Sequence, residues 1–214
     1  MKVSRLISDL DQHLGKCAML AAAGVGTGMM AAPQADAAVV DSGIVNINIP
    51  STTAGVYLNM ITGATGTSSF TGYDVNLWSS SALNVFSSTG ATAPTMYVTS
   101  GTASQYDNLA VGALIGPGST FSNIGTGTIN PATPLNLNSD MNCIGFKFLA
   151  DDGNTHYGWV QVSLAGTAAA QPRSIVRYAY ESEPNVGLAA CVVPEPASLS
   201  MLALGAFGVL RRRR

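Results

Sequence analysis

The side chains with catalytic potential are few and widely spaced. His156 is one of two histidines in the chain, and only His156 lies beyond residue 37. A serine hydrolase needs a histidine base, an acid that orients it and an activated serine, and the sequence contains no G-x-S-x-G nucleophile elbow. Zinc sites need three or four closely spaced ligands, which one histidine does not supply. We therefore expect His156 to be a strand residue near a turn.

The carboxylates form two small groups. Asp151, Asp152 and Asn154 offer oxygen atoms of the kind that Ca²⁺ binds. Their spacing lacks the closing glutamate of an EF-hand loop, which favours a solvated turn. Glu181 and Glu183 flank one serine, whereas a glycosidase needs two acids placed about 5–10 Å apart across a cleft. The sequence therefore predicts a protein that is not an enzyme, with no cofactor and no metal site.

Two cysteines, Cys143 and Cys191, lie beyond the first 37 residues. In an oxidising compartment such a pair can form a disulfide. The bridge would close a loop of about 49 residues and stabilise the fold by roughly 3–4 kcal/mol. A disulfide and two unpaired thiols both remain open. Because Cys143 alternates with Ile144, we expect it to face outward.

Tyr157 and Trp159 lie two residues apart and share one face of a predicted strand. Aromatic rings on an exposed face can stack on sugar rings, with Trp78 as a further platform. Such residues more often pack in a core or between sheets. A glycan contact at Tyr157 and Trp159 is therefore kept as the alternative to core packing.

The charge pattern argues against nucleic-acid binding. The 214 residues include 10 Lys or Arg and 12 Asp or Glu, and 47% are hydrophobic, which is enough to bury a core. Residues 38–193 carry only 3 basic and 8 acidic groups. Binding to phosphates depends on clustered Lys and Arg, which this region lacks.

The first 37 residues have the pattern of a secretory signal peptide. Lys2, Arg5 and Lys16 precede an uncharged stretch at residues 17–30. Ala35 and Ala37 then form an A-x-A site, after which a signal peptidase would cut before Ala38. A buried, glycine-interrupted helix is the alternative. We expect a helical signal handled by the Sec translocon and signal peptidase.

The last residues form a second, more specific pattern. Pro194, Glu195 and Pro196 precede an uncharged stretch at residues 197–210, and the chain closes with Arg211, Arg212, Arg213 and Arg214. Fourteen helical residues rise only about 21 Å, short of a hydrocarbon core of about 30 Å. The arginines would stay on the cytoplasmic side of a membrane. The pattern predicts a short hydrophobic helix that contacts the membrane transiently and suits removal.

This tail resembles the PEP-CTERM sorting signal of Gram-negative bacteria. The resemblance covers residues 192–214 and implies processing by an exosortase, a membrane transpeptidase-like enzyme linked to exopolysaccharide production. It implies that Pro194, Glu195 and Pro196 form the recognition element and that residues 211–214 form the stop-transfer cluster. A plain membrane anchor is the alternative, and both interpretations predict export.

The region between the two ends must supply the fold. Its apolar residues alternate at period two, most clearly at Ile144, Phe146 and Phe148. Gly, Ser, Thr and Asn fill the intervening segments, for example residues 62–69 and 116–127, and residues 109–115 are a further strand candidate. Short strands with such turn-rich spacing predict an all-β fold, an antiparallel β-sandwich of jelly-roll type.

One hairpin can be placed within it. Residues 146–150 run into Asp151-Asp152-Gly153-Asn154, and residues 156–164 return. Asp-Gly tolerates the positive φ that tight hairpin turns require. Residues 144–181 resemble a recurrent block of exported bacterial PEP-CTERM proteins, a likeness that supports the fold and transfers no activity.

Together these patterns divide the chain into a signal peptide at 1–37, a β-sandwich domain at 38–191 and a PEP-CTERM signal at 192–214. We expect an exported cell-surface or extracellular-matrix protein without catalytic activity, transiently held at the inner membrane. The alternative is a carbohydrate-binding module that acts on exopolysaccharide.

Overall fold

The structure is a computed structural model that describes residues 38–86, 95–122 and 125–193. Within these ranges the chain forms fifteen strands and no helix. The strands are β1 (Val39–Asp41), β2 (Ile47–Asn48), β3 (Val56–Leu58), β4 (Thr65–Gly66), β5 (Val75–Trp78), β6 (Asn84–Phe86), β7 (Met96–Val98), β8 (Gln105–Tyr106), β9 (Leu114–Ile115), β10 (Phe121–Ser122), β11 (Thr126–Ile129), β12 (Ser139–Leu149), β13 (Thr155–Leu164), β14 (Ser174–Glu181) and β15 (Leu188–Ala189).

The strands form two main sheets and one short ladder. The first sheet has the order β1-β14-β13-β12-β7-β10, with β2 paired to β14. The second has the order β4-β3-β5-β6-β11-β8, and β9 pairs with β15. The pairs are antiparallel except for the parallel pair β8–β11. The predicted all-β sandwich is therefore confirmed, with one parallel pair that the alternation of apolar residues does not reveal.

The predicted hairpin is confirmed as β12 and β13. Leu149 pairs with Thr155 at its closed end. Ala150 N–H donates to the Asn154 carbonyl at 3.0 Å, and Gly153 adopts a φ of +78°. The glycine supplies the left-handed conformation that a residue with a Cβ adopts only under strain.

The main core lies between the two sheets. Ile144, Phe146 and Phe148 of β12 meet Leu58 and Leu77 of the second sheet, and all five are at most 1% exposed. Burying each such side chain stabilises the fold by about 1.5–3 kcal/mol. The apolar residues that alternate along β12 in the sequence are therefore the residues that face this core.

The opposite face of the first sheet is also buried, which corrects the outward orientation predicted for Cys143. Cys143, Tyr157 and Trp159 are 1%, 5% and 0% exposed. They form a second core with Ile115 of β9 and Leu188 of β15. The sequence suggested an outward face because Gly and Lys alternate with the core residues, but the β9–β15 ladder covers it.

Gly145 shows how closely the covering segment approaches this face. A Cβ atom on Gly145 would lie 2.8 Å from the side chains of Leu109 and Val98 and 2.9 Å from that of Ile115. These separations are shorter than van der Waals contact, so a Cβ at this position would force the three side chains to move. Gly145 also pairs with Trp159 across the β12–β13 ladder, which leaves room for the indole.

Several predicted segments differ in detail. Residues 109–115 were predicted as one strand, but only β9 and an isolated bridge from Leu109 to Cys143 form there. Conversely, β4, β10 and the first part of β11 fall in segments predicted as turns. The backbone in these segments pairs although glycine and serine surround it in the sequence, because tertiary pairing decides the outcome at such short strands.

The signals predicted at the two ends lie outside the described residues. These are Ala35 and Ala37 of the cleavage site, Pro194, Glu195 and Pro196, Arg211 to Arg214, and both terminal helices. Ala38 begins the described part and is exposed. Across residues 38–86, 95–122 and 125–193, the structure has no helix of the length and apolar character needed to cross a bilayer.

Candidate functional site

A cleft of about 530 Å³ opens where the β12–β13 turn meets two loops of the second sheet. We call it the hairpin-end cleft. Its walls come from residues 59–61 after β3, residues 70–74 before β5 and residues 149–153 of the turn. Its volume lies within the range of about 300–1,000 Å³ that small-molecule sites usually have.

Asn59 holds two of these walls together. Its side-chain carbonyl accepts hydrogen bonds from the backbone N–H groups of Ile61 and Thr62, at 2.9 and 2.6 Å. Its side-chain NH₂ donates to the carbonyl of Gly72. Asn59 is only 7% exposed, so its polar atoms bond to the two loops rather than to solvent. An asparagine directly after a strand is suited to this role, because its amide mimics a backbone turn.

Asp74 forms the buried end of the cleft. The residue is 4% exposed, and its Oδ2 accepts a hydrogen bond from Met60 N–H at 2.8 Å. Its Oδ1 has no hydrogen-bond partner among the described residues. Burial raises the pKa of Asp74 to about 7, the Met60 hydrogen bond lowers it, and the charge of Asp151 raises it further. The carboxyl group therefore exchanges a proton near neutral pH.

An aromatic cluster forms another wall. Phe70 and Tyr73 are half-buried and line the cleft. Tyr73 meets Tyr57 edge to face, with ring centroids 4.8 Å apart, and Phe70 and Tyr73 lie 6.2 Å apart. Edge-to-face contacts of this kind hold rings in fixed orientations. The cleft thus presents an apolar wall beside a carboxylate.

A smaller cavity of about 260 Å³ adjoins the cleft and shares Ile61, Ala150 and Asp151 with it. His156 lies there with both ring nitrogens bonded. Nδ1 donates to the Glu181 carbonyl at 2.8 Å, and Nε2 lies 3.1 Å from Asp152 Oδ2. Both nitrogens of this ring are therefore engaged within the turn region and not aimed into the cavity.

Asp152 is held ionised by its neighbours. Its Oδ1 accepts from Asn154 N–H at 2.8 Å, and its Oδ2 from the Asn154 side chain at 3.1 Å. These bonds, with that from His156, lower the pKa of Asp152 to about 2. The carboxylate thus closes the turn itself, as the solvated-turn interpretation predicts. Within the described ranges, no group of three or more His, Cys, Asp or Glu is placed to hold a metal ion.

Cys143 and Cys191 are joined by a disulfide, with their Cα atoms 6.1 Å apart. The bond connects a central strand, β12, to the segment that follows β15. Ala190 is fully buried, and Val193 packs against the second core. The chain is therefore covalently fixed to the sandwich at residue 191, just before the predicted sorting signal.

Tyr157 and Trp159 pack in a core, as the sequence analysis favoured, and the alternative of a glycan contact at these residues is wrong. Both side chains are buried in the second core, so neither ring has a free face for a sugar. Trp78 is half-buried on β5 in the other sheet. The aromatic residues that line a cavity are instead Phe70 and Tyr73, which the sequence analysis did not select.

One comparison with known proteins gives a match. The family model described as the PEP-CTERM protein-sorting motif matches residues 192–214. No curated protein and no solved structure matches the chain. The motif implies export, sorting next to a membrane and an exosortase as the processing partner.

Proposed function

We propose that this chain is an exported cell-surface or extracellular-matrix protein without catalytic activity. Its signal peptide would pass through the Sec translocon and be cut before Ala38, and an exosortase would process the tail at Pro194-Glu195-Pro196. The observation that carries the proposal is the sorting motif at residues 192–214. It begins directly after Cys191, which the disulfide bonds to the sandwich.

Four of the charged side chains of the domain have structural roles. Arg177 and Asp41 form a bidentate pair, with both N–O distances at 2.7 Å. Asp152 and His156 close the β12–β13 turn. Catalytic acids and bases need a free proton-transfer atom within reach of a substrate. The polar atoms of these four side chains are instead bonded to each other and to the backbone.

The disulfide supports a location outside the cytoplasm. Disulfides persist in oxidising compartments, where glutathione and thioredoxin do not reduce them. Here the bond lies in a buried environment, because Cys143 is 1% exposed. The bond would stabilise the fold after export, where cytoplasmic chaperones no longer act on the chain.

The test is the mass of the protein recovered from culture medium and from envelope fractions of a host with an exosortase. We expect a chain that begins at Ala38 and lacks the arginine cluster. In a Pro194→Ala/Pro196→Ala variant we expect the tail to be retained and the protein to stay with the inner membrane. Pro184→Ala is the matched control and should be processed normally. An intact chain in the cytoplasm, arginines included, would contradict the proposal.

A further inference from the structure

We propose that the hairpin-end cleft binds an uncharged saccharide, with the rings of Phe70 and Tyr73 against a sugar face and the carboxyl groups of Asp74 and Asp151 on its hydroxyls. This inference is independent of the proposed function, because it concerns the folded domain whatever its destination.

The cleft is formed before any ligand arrives. Asn59 joins two of its loops, and Met60 N–H fixes Asp74 at 2.8 Å. The third wall is the β12–β13 turn, closed by hydrogen bonds from Ala150 and Gly153. A preformed site spares the ligand the cost of ordering loops on binding. A weakly interacting ligand such as a sugar gains most from this arrangement.

The two kinds of lining atoms match the two faces of a sugar ring. The C–H face of a pyranose is apolar and packs on aromatic rings, here those of Phe70 and Tyr73. Its hydroxyl groups need acceptors and donors, which Asp151 and Asp74 provide. Few small molecules other than sugars combine an apolar face with a ring of hydroxyl groups.

Asp74 is the acceptor that the cleft holds most firmly. The residue is 4% exposed, and it lines the cleft together with Asp151. Its Oδ2 is already bonded to Met60, so the group is oriented with Oδ1 free to accept. A sugar hydroxyl in the cleft would donate to it.

The negative charge of the cleft determines which saccharides it would bind. Asp74 and Asp151 line the cleft, Asp152 lies beside it, and no Lys or Arg among the described residues contributes to either cavity. The basic residues of the described domain are engaged elsewhere: Lys147 lies over the Phe121 ring at 4.7 Å, Arg177 pairs with Asp41, and Arg173 donates to backbone carbonyls. Uronic acids and sulfated sugars would therefore be repelled, and neutral ones accepted.

The experiment begins with the purified full-length chain on an array of neutral, N-acetylated and uronic-acid oligosaccharides. The best neutral oligosaccharide is then titrated by calorimetry. We expect Asp74→Asn and Asp151→Asn each to weaken binding roughly ten-fold, the usual effect of losing a hydrogen bond to a charged group. Phe70→Ala should weaken it similarly. An asparagine at position 74 still accepts from Met60 N–H, so the variant should fold.

Asp140→Asn is the matched control, because Asp140 is exposed at the other end of the same strand, β12. Its affinity should equal that of the unmodified chain, and every variant should still unfold in one cooperative urea transition. The proposal is overturned if no neutral sugar binds, if uronic acids bind best or if Asp140→Asn weakens binding equally. If Ca²⁺ alone binds saturably, if Asp74→Asn abolishes that binding and if no sugar binds, the cleft is a cation site and the saccharide proposal is refuted.

Discussion

Arg173 is the residue whose replacement tests the energetics of this fold most directly. It is 1% exposed, and no acidic side chain pairs with it among residues 38–86, 95–122 and 125–193. All five of its N–H groups donate instead to backbone carbonyls. The acceptors are Ile49 at 3.0 Å, Ala82 at 2.6 Å, Ala168 at 2.8 Å, Pro50 at 2.8 Å and Ser79 at 2.6 Å.

Arg173→Met keeps most of the side-chain volume and removes all five donors. Hydrogen bonds to a charged group contribute about 1.5–3 kcal/mol each, and they are not additive. Several buried carbonyls would also lose their partner. We therefore expect a loss of at least about 4 kcal/mol, a large part of the 5–15 kcal/mol by which a typical domain is stable. Arg173→Lys keeps three donors and should lose roughly half as much.

The assay is equilibrium unfolding in urea, followed by the fluorescence of the fully buried Trp159. Arg177→Met is the matched control, because Arg177 lies in β14, which begins directly after Arg173. Arg177 is 25% exposed and pairs with Asp41, so its loss should cost about 1 kcal/mol or less. If Arg173→Met lies within about 1 kcal/mol of the unmodified chain, or if both variants lose the same free energy, the role assigned to Arg173 is refuted.

Three further predictions concern other parts of the domain. The Cys143→Ala/Cys191→Ala variant should be less stable by about 4 kcal/mol, from the entropy of a loop with a sequence separation of 48. Folding raises the pKa of Asp74 from 3.8 to about 7, so the folded chain keeps a proton that the unfolded chain releases. The free energy of unfolding should therefore fall as pH rises through that window, and Asp74→Asn should flatten the profile. Gly112→Ala should cost about 1–2 kcal/mol from its positive φ alone, and Gly55→Ala should cost at least about 2 kcal/mol more, because a Cβ there meets the backbone of β5.

Each of these has a result that contradicts it. Reducing agent should destabilise the unmodified chain but leave the double cysteine variant unchanged, and equal effects would exclude the disulfide. A pH profile that Asp74→Asn does not alter would place the proton on another group. Both glycines have positive φ, and only Gly55 lacks space for a Cβ. Equal losses of stability in Gly55→Ala and Gly112→Ala would therefore show that φ alone determines the cost of the substitution.

The β12–β13 hairpin is the part of the fold that local sequence specifies best. Asp-Gly fixes the turn, and the alternation of Ile144, Phe146 and Phe148 fixes the register, because a slip by one residue would expose all three. The terminal signals are read from residue order alone, and the family model matches the second of them. Both features depend on residues that are close in the sequence.

The second core was missed because its two sides are far apart in the chain. Gly145 and Lys147 suggested a solvated face, yet β13 is buried on both faces from His156 to Val160. A strand that is apolar on both faces is typical of a sheet covered on both sides. The neighbouring Tyr157, Gly158 and Trp159 carry that signal, and for Tyr157 and Trp159 the sequence analysis favoured packing over a glycan contact.

The hairpin-end cleft was missed for a related reason. Asp151 was selected by local pattern, but Asn59 and Asp74 acquire their roles only when the second sheet brings their loops to the turn. The β3–β5 register places Leu58 opposite Val75, which puts Asn59 next to Asp74. No spacing in the sequence encodes that pairing, because it depends on which strands become neighbours.

The covered second face also explains how the domain can lose its tail without losing stability. The last described strand, β15, pairs with β9, and Ala190 is buried. The disulfide at Cys191 then fixes the chain to β12. A cut at Pro194-Glu195-Pro196 falls after these contacts, so all of them stay with the sandwich.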